Sequence, residues 1–240
     1  MRKSSAIFII APMLAMLAAC KEAEPATGTY EVSGEIVALS GGDAGARGAC
    51  VTCHGLEGEG DGNLVPRLAG LDPGYQLRQL DYFAEGQRRH PQMVWIADQL
   101  DWSAREKVAN YYARLPVPEG ASSRPDEGDC AAAELYQRGD PERDLASCAS
   151  CHGADGEGVG AGNPPLAAQP APYLEAQLKA WANGERYGGD NTMTRISQIL
   201  TEAEMARLAD YSSALRGASG YPALPEPCPR THRPDPSNGA

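Results

Sequence analysis

Aromatic side chains make up only 6% of this 240-residue sequence, with two Phe and three Trp, while Gly and Pro number 27 and 19. For a length that suggests one or two domains, this is a thin supply of core-forming residues. It argues against a large self-sufficient apolar core and leaves room for a bound apolar group at the centre of a small one. Long apolar runs are scarce as well. The stretch from Ala6 to Ala19 is too short for a comfortable membrane span. Basic charge is outweighed, with a formal net charge of −11, and no nucleic-acid partner is expected.

What the sequence does contain is one pentad written twice: Cys50-Val51-Thr52-Cys53-His54 and Cys148-Ala149-Ser150-Cys151-His152. C-x-x-C-H is the attachment sequence of a c-type haem. Two thiols three positions apart add to the two vinyl groups of one porphyrin, and the adjoining His faces the iron. The spacing does not suit a zinc ribbon, which places its two C-x-x-C pairs about 15–20 residues apart. Two covalently bound haem c groups are therefore expected, held by Cys50, Cys53, Cys148 and Cys151, with His54 and His152 as axial ligands.

The N-terminus reads as a targeting segment. Arg2 and Lys3 precede the apolar stretch, and Leu17-Ala18-Ala19-Cys20 closes it. This pattern resembles the lipobox of bacterial lipoproteins, whose Cys is lipidated. Residues 1–19 are the expected signal peptide, Cys20 the lipidation site, and the periplasm, with a membrane anchor, the expected location. Disulfides persist there.

The sequence around the two pentads is a tandem duplication. Cys50, Cys53, His54, Gly58, Gly60, Pro66, Leu68, Tyr75, Gln79, Leu80, Gly86 and Arg88 recur 98 residues later, from Cys148 to Arg186. After a two-residue insertion the offset is 100, relating Met93 to Met193, Tyr111 to Tyr211 and Leu115 to Leu215. Asp72 reads as an N-cap with Pro73 at the first helical position, opening a helix that runs to Gly86. The last helix carries Val108, Tyr111, Tyr112 and Leu115 at helical spacing. A helix from Cys130 to Arg138 opens the second repeat. The first repeat has only Gly-rich sequence from Gly41 to Gly48 there, and Lys21 to Gly42 reads as a tether with a possible short strand.

Taken together, the pentads, the P-x-L turns, the Tyr…Gln-Leu…Gly-x-Arg helices and the Met-to-last-helix blocks resemble the dihaem cytochromes of the cytochrome c4 family. The resemblance implies an all-α fold of two tandem class I cytochrome c domains, each wrapped around one covalently attached haem. The expected boundaries are a tether over 20–42, domains over 43–117 and 128–217, a linker over 118–127 and a Pro-rich tail over 218–240.

The family places an axial Met between the middle and last helices, where Met93 and Met193 stand; His90 is a rival for the first haem. It also uses a Pro carbonyl to hold the proximal His, the place of Pro66 and Pro164. Two Cys remain, Cys130 and Cys228, and a disulfide between them would staple the tail across the family's crossing of first and last helices. Arg88 and Arg186 are read either as partners of haem propionates or as solvated helix-end charges.

The implied function is single-electron transfer without a bond-making reaction. The donor would be a quinol-oxidising cytochrome complex or a periplasmic dehydrogenase, and the acceptor a terminal oxidase. Two other readings are an electron-accepting subunit of a dehydrogenase complex and a dihaem peroxidase, which requires one displaceable iron ligand. The second repeat is the more acidic, with seven Lys/Arg and fifteen Asp/Glu over 126–216. Asp140, Glu142, Asp144, Glu202 and Glu204 are its candidate contacts to a basic partner.

Overall fold

The structure is a computed structural model that describes residues 32–117, 129–215 and 217. The signal segment, Cys20, the 118–127 linker and the tail with Cys228 lie outside the described residues. Within them the elements are helices, short 3-10 turns and isolated bridges, with no strand.

The first repeat consists of α1 (Gly34–Ser40), α2 (Val51–His54), α3 (Pro73–Ala84), α4 (Pro91–Gln99) and α5 (Trp102–Arg114). The second consists of α6 (Cys130–Arg138), α7 (Ala149–His152), α8 (Ala171–Ala182), α9 (Thr192–Ile199) and α10 (Glu202–Ala214). In each, the first helix packs against the last, α1 on α5 and α6 on α10, while the third packs on the last two.

Helix α1 corrects the reading of that stretch as tether and possible strand. Ser33 caps it, its hydroxyl accepting from Ile36 N at 3.2 Å. Its Val37 and Ala38 are fully buried in a core with Leu100, Val108 and Tyr112. Gly34 lies so close to α5 that an added Cβ would stand 2.0 Å from the Lys107 carbonyl oxygen. The 98-residue offset extends back to this crossing, where Ala132 of α6, 2% exposed, is the counterpart.

Asp72 caps α3 as expected, its Oδ1 accepting from Tyr75 N at 2.9 Å. Helices α4 and α9 are additions to the sequence reading, which had Met93 and Met193 between helices. His90 starts α4: its Nδ1 accepts from Met93 N at 3.3 Å, and Pro91 follows. The second core gathers Tyr136, Leu145, Leu200, Met205, Leu208, Tyr211 and Leu215. Cys50 packs against the first core and Cys148 against the second. Among the described residues no helix is long and apolar enough to cross a membrane.

Candidate haem sites and the interface between them

Each pentad forms a single helical turn, α2 or α7, which puts its two Cys on one face. None of Cys50, Cys53, Cys148 and Cys151 is in a disulfide, and the second of each pair is exposed. Burial pushes the Cys50 and Cys148 thiols up to about 11. Among the described residues no group of three His, Cys, Asp or Glu is placed to hold a metal ion.

The loop after each pentad is built the same way twice. Gly60 N donates to His54 O at 2.8 Å and Gly158 N to His152 O at 2.7 Å. Gly60 has φ +79, and a Cβ there would meet Val65 O at 2.5 Å, so glycine is required. Gly58 O then receives Leu68 N and Ala69 N, as Gly156 O receives Leu166 N and Ala167 N. This folds the P-x-L segment back over the pentad. His54 Nδ1 thereby lies 2.9 Å from Pro66 O, and His152 Nδ1 lies 2.8 Å from Pro164 O. A carbonyl can only accept, so Nδ1 carries the proton and Nε2 keeps its lone pair. Burial lowers the pKa of both rings and favours this neutral form, opposed by the Pro carbonyls.

Met93 and Met193 are half-buried near the starts of α4 and α9. His90, the rival to Met93, already uses Nδ1 as the cap of α4. Cys130 is disulfide-bonded.

Arg88 and Arg186 are not solvated helix-end charges. They are 7% and 4% exposed and lie where the two repeats meet. Arg88 donates to Gln79 Oε1 (2.9 Å) in its own repeat and to Tyr173 OH (2.8 Å) and Gln177 Oε1 (2.7 Å) in the other. Arg186 mirrors it with Gln177 Oε1 (2.8 Å), Tyr75 OH (3.1 Å) and Gln79 Oε1 (2.9 Å). Each guanidinium also covers an aromatic ring of its own repeat, Phe83 at 4.6 Å and Trp181 at 3.9 Å. An antiparallel bridge between Arg88 and Arg186 joins the backbones. No carboxylate of the described residues pairs with either arginine. Burial alone would raise the pKa of the Tyr173 phenol, but the two guanidiniums outweigh it and the net direction is down.

Sequence reasoning found the Tyr, Gln and Arg of this network as a repeated motif but not their mutual contact. It missed Arg67 and Gln169, which also join the repeats and which break the duplication, since Pro165 and Leu71 stand at their equivalent positions. Of the acidic residues expected to meet a basic partner, Asp140 and Glu204 each pair with Arg143 at 2.8 Å.

The chain matches the Cytochrome c family over residues 133–215. It is 33% identical over 180 residues to cytochrome c4 of Thiocapsa roseopersicina, covering 72% of this chain and 91% of that protein. The chain belongs to the cytochrome c4 family. It is also 40% identical over 181 residues to the thiosulfate dehydrogenase electron acceptor of Stutzerimonas stutzeri, covering 74% of this chain and 84% of that one.

Among solved structures, this cytochrome resembles Acidithiobacillus ferrooxidans cytochrome c4, with TM-score 0.63 and 30% identity over 69% of this chain and 98% of the other. It also resembles thiosulfate dehydrogenase (TsdBA) from Marichromatium purpuratum, with TM-score 0.67 and 40% identity over 80% of this chain. There it spans only 43% of the longer chain.

The fold is thus all-α, of the class I cytochrome c4 type. As a member of the family, the protein carries two covalently bound haem c groups and transfers electrons between redox partners. The residues present fit that cofactor. Each repeat offers two thiols on one turn and a neutral imidazole with Nε2 free. The buried arginine pair, without a carboxylate of the described residues, suits a group that brings carboxylates of its own.

Proposed function

We propose that this dihaem cytochrome is the electron acceptor of a thiosulfate-oxidising dehydrogenase, anchored in the periplasm through Cys20 and passing its electrons toward a terminal oxidase. The observation that carries this reading is the similarity to two proteins named thiosulfate dehydrogenase electron acceptor, 40% and 37% identical over 84% and 78% of their lengths. The other reading is a general respiratory carrier fed by a quinol-oxidising cytochrome complex. It rests on the cytochrome c4 relatives at 33% and 29% identity.

Bound haem supplies a one-electron ferric–ferrous couple. Cys50 and Cys53, with Cys148 and Cys151, would hold it covalently. His54 and His152 would ligate the iron through Nε2, oriented by Pro66 and Pro164, and Met93 and Met193 would fill the sixth positions. Ligation of this kind leaves no open site for peroxide chemistry and raises the potential relative to two His ligands. Arg88 and Arg186 would take haem propionates as their counter-charges. Beyond the haem contacts, Cys130 and Cys228 are the proposed disulfide.

The test is stopped-flow reduction of the purified protein by thiosulfate and a thiosulfate dehydrogenase. Rapid reduction of both haems supports the reading. No reduction by the dehydrogenase, with rapid reduction by a quinol-oxidising complex, would establish the general carrier instead.

A further inference from the structure

The peptide group joining Pro66 to Arg67 is held at both of its polar atoms. Its carbonyl oxygen lies 2.9 Å from His54 Nδ1. Its N–H, carried by Arg67, donates to Oε1 of Gln169 in the second repeat at 3.1 Å. Gln169 Nε2 donates in turn to the Arg67 carbonyl at 2.9 Å. The pairing fixes how the amide faces, because its oxygen must meet the N–H and its nitrogen the carbonyl. Arg67 and Gln169 are 1% and 4% exposed. The Arg67 side chain secures the arrangement from Nε to Ala168 O (3.3 Å), from Nη2 to Ala167 O (3.0 Å) and from Nη1 to Ala69 O.

The second haem site lacks this chain. The equivalent peptide joins Pro164 to Pro165, and proline has no N–H to donate. The position that matches Gln169 is Leu71 in the first repeat. Pro164 O thus receives His152 Nδ1 at 2.8 Å with no hydrogen bond on the far side of its peptide.

A peptide N–H that donates polarises its own carbonyl and makes the oxygen a better acceptor, most of all in a low-dielectric interior. A better acceptor draws the Nδ1 proton and enriches Nε2 in electrons, as a partner on the far nitrogen does for any ligating His. A more electron-rich ligand favours ferric over ferrous iron. We propose that Gln169 of the second repeat is a positioning residue for the first haem. It lowers that haem's potential through the chain Gln169 Oε1, Arg67 N–H, Pro66 C=O, His54 Nδ1–H, which the second haem does not have. This rests on His54 being an axial ligand.

The test is a spectroelectrochemical titration of the holoprotein. Gln169→Leu places at 169 the residue that the first repeat carries at Leu71. It should raise the potential of one haem about threefold in its reduction equilibrium constant, about 30 mV at roughly 59 mV per tenfold, and leave the other unmoved. Gln169→Glu keeps an acceptor and adds charge to it, so it should shift the same wave downward. A packing role would move both variants in one direction. That outcome, equal movement of both waves, or movement of neither would overturn the proposal.

The exchangeable His54 ring N–H resonance of the ferrous protein should move upfield in the Leu variant. An unmoved resonance would count against the chain. The ligation reading fails separately: His54→Ala would then leave two low-spin haems, which no Gln169 result imitates.

Discussion

Arg88 donates from Nη2 to the Tyr173 hydroxyl at 2.8 Å although 85 residues separate them in the chain. Both side chains are buried between the repeats, so the bond joins two halves that each hold one haem. Tyr173→Phe removes one acceptor of a buried guanidinium and leaves Gln177 Oε1, at 2.7 Å, to serve the same nitrogen. A lost bond to a charged group costs about 1.5–3 kcal/mol. Urea unfolding followed by helical circular dichroism should show a loss of that size.

Position 34 tests the α1–α5 crossing. Replacing Gly by Ala inside a helix normally gains about 0.5–1 kcal/mol. At Gly34 the added Cβ meets backbone, Lys107 O at 2.0 Å and Lys107 C at 2.6 Å, which cannot swing aside as a side chain would. Overpacking of this kind costs about 1–3 kcal/mol. Gly34→Ala should therefore lower the urea midpoint despite the better propensity. A raised midpoint would show that α1 stands off α5 in solution.

Acid should weaken the second repeat through Glu204. Both of its carboxylate oxygens accept from Arg143, at 3.1 and 2.8 Å, and it closes the capping box of α10 with Thr201. The Arg143 hydrogen bonds hold its carboxyl below the ordinary 4.5, against partial burial. A carboxyl depressed in the folded state contributes its stabilisation fully above the ordinary value. That contribution is lost as pH falls below 4.5 toward the folded value. The pair is partly solvated, and screening keeps the effect small. Arg143→Gln should be less stable near neutrality and should lose stability less steeply below about pH 4.5, as read from urea midpoints across that window.

Ligation is checked at the second site. Met193→Ala should abolish the thioether charge-transfer band of one haem and let ferrous iron bind carbon monoxide, with the other haem unaffected. An unchanged ferric spectrum would remove Met193 as a ligand.

The pentad turns and the loops that follow them were legible because their geometry is local. A pentad, a glycine at φ +79 and a proline twelve residues after the His each act within one loop, and repetition at 98 residues doubled the signal. Helix α1 was not legible, since Gly34 to Ser40 is short and bordered by polar, Gly-rich sequence. Its reason for being helical lies on α5, more than sixty residues away. Helix α4 was hidden for a related reason: its cap is His90, read as a possible iron ligand. The Arg67–Gln169 pairing spans 102 residues, and its one trace in the sequence is that both positions depart from the repeat.

The interface side chains carry a last consequence. Tyr75, Gln79 and Arg88 meet Tyr173, Gln177 and Arg186, the same three residue types, and each contact in one direction has its counterpart in the other. A face that pairs with a copy of itself is what a two-fold homodimer possesses. A single repeat bearing Tyr, Gln and Arg at these spacings would present such a face to its twin. Joining two copies in one chain turns that association into an intramolecular one, with an effective concentration that no dilution lowers. Arg67 and Gln169 depart from that symmetry, a pairing made in one direction with Pro165 and Leu71 at the equivalent positions.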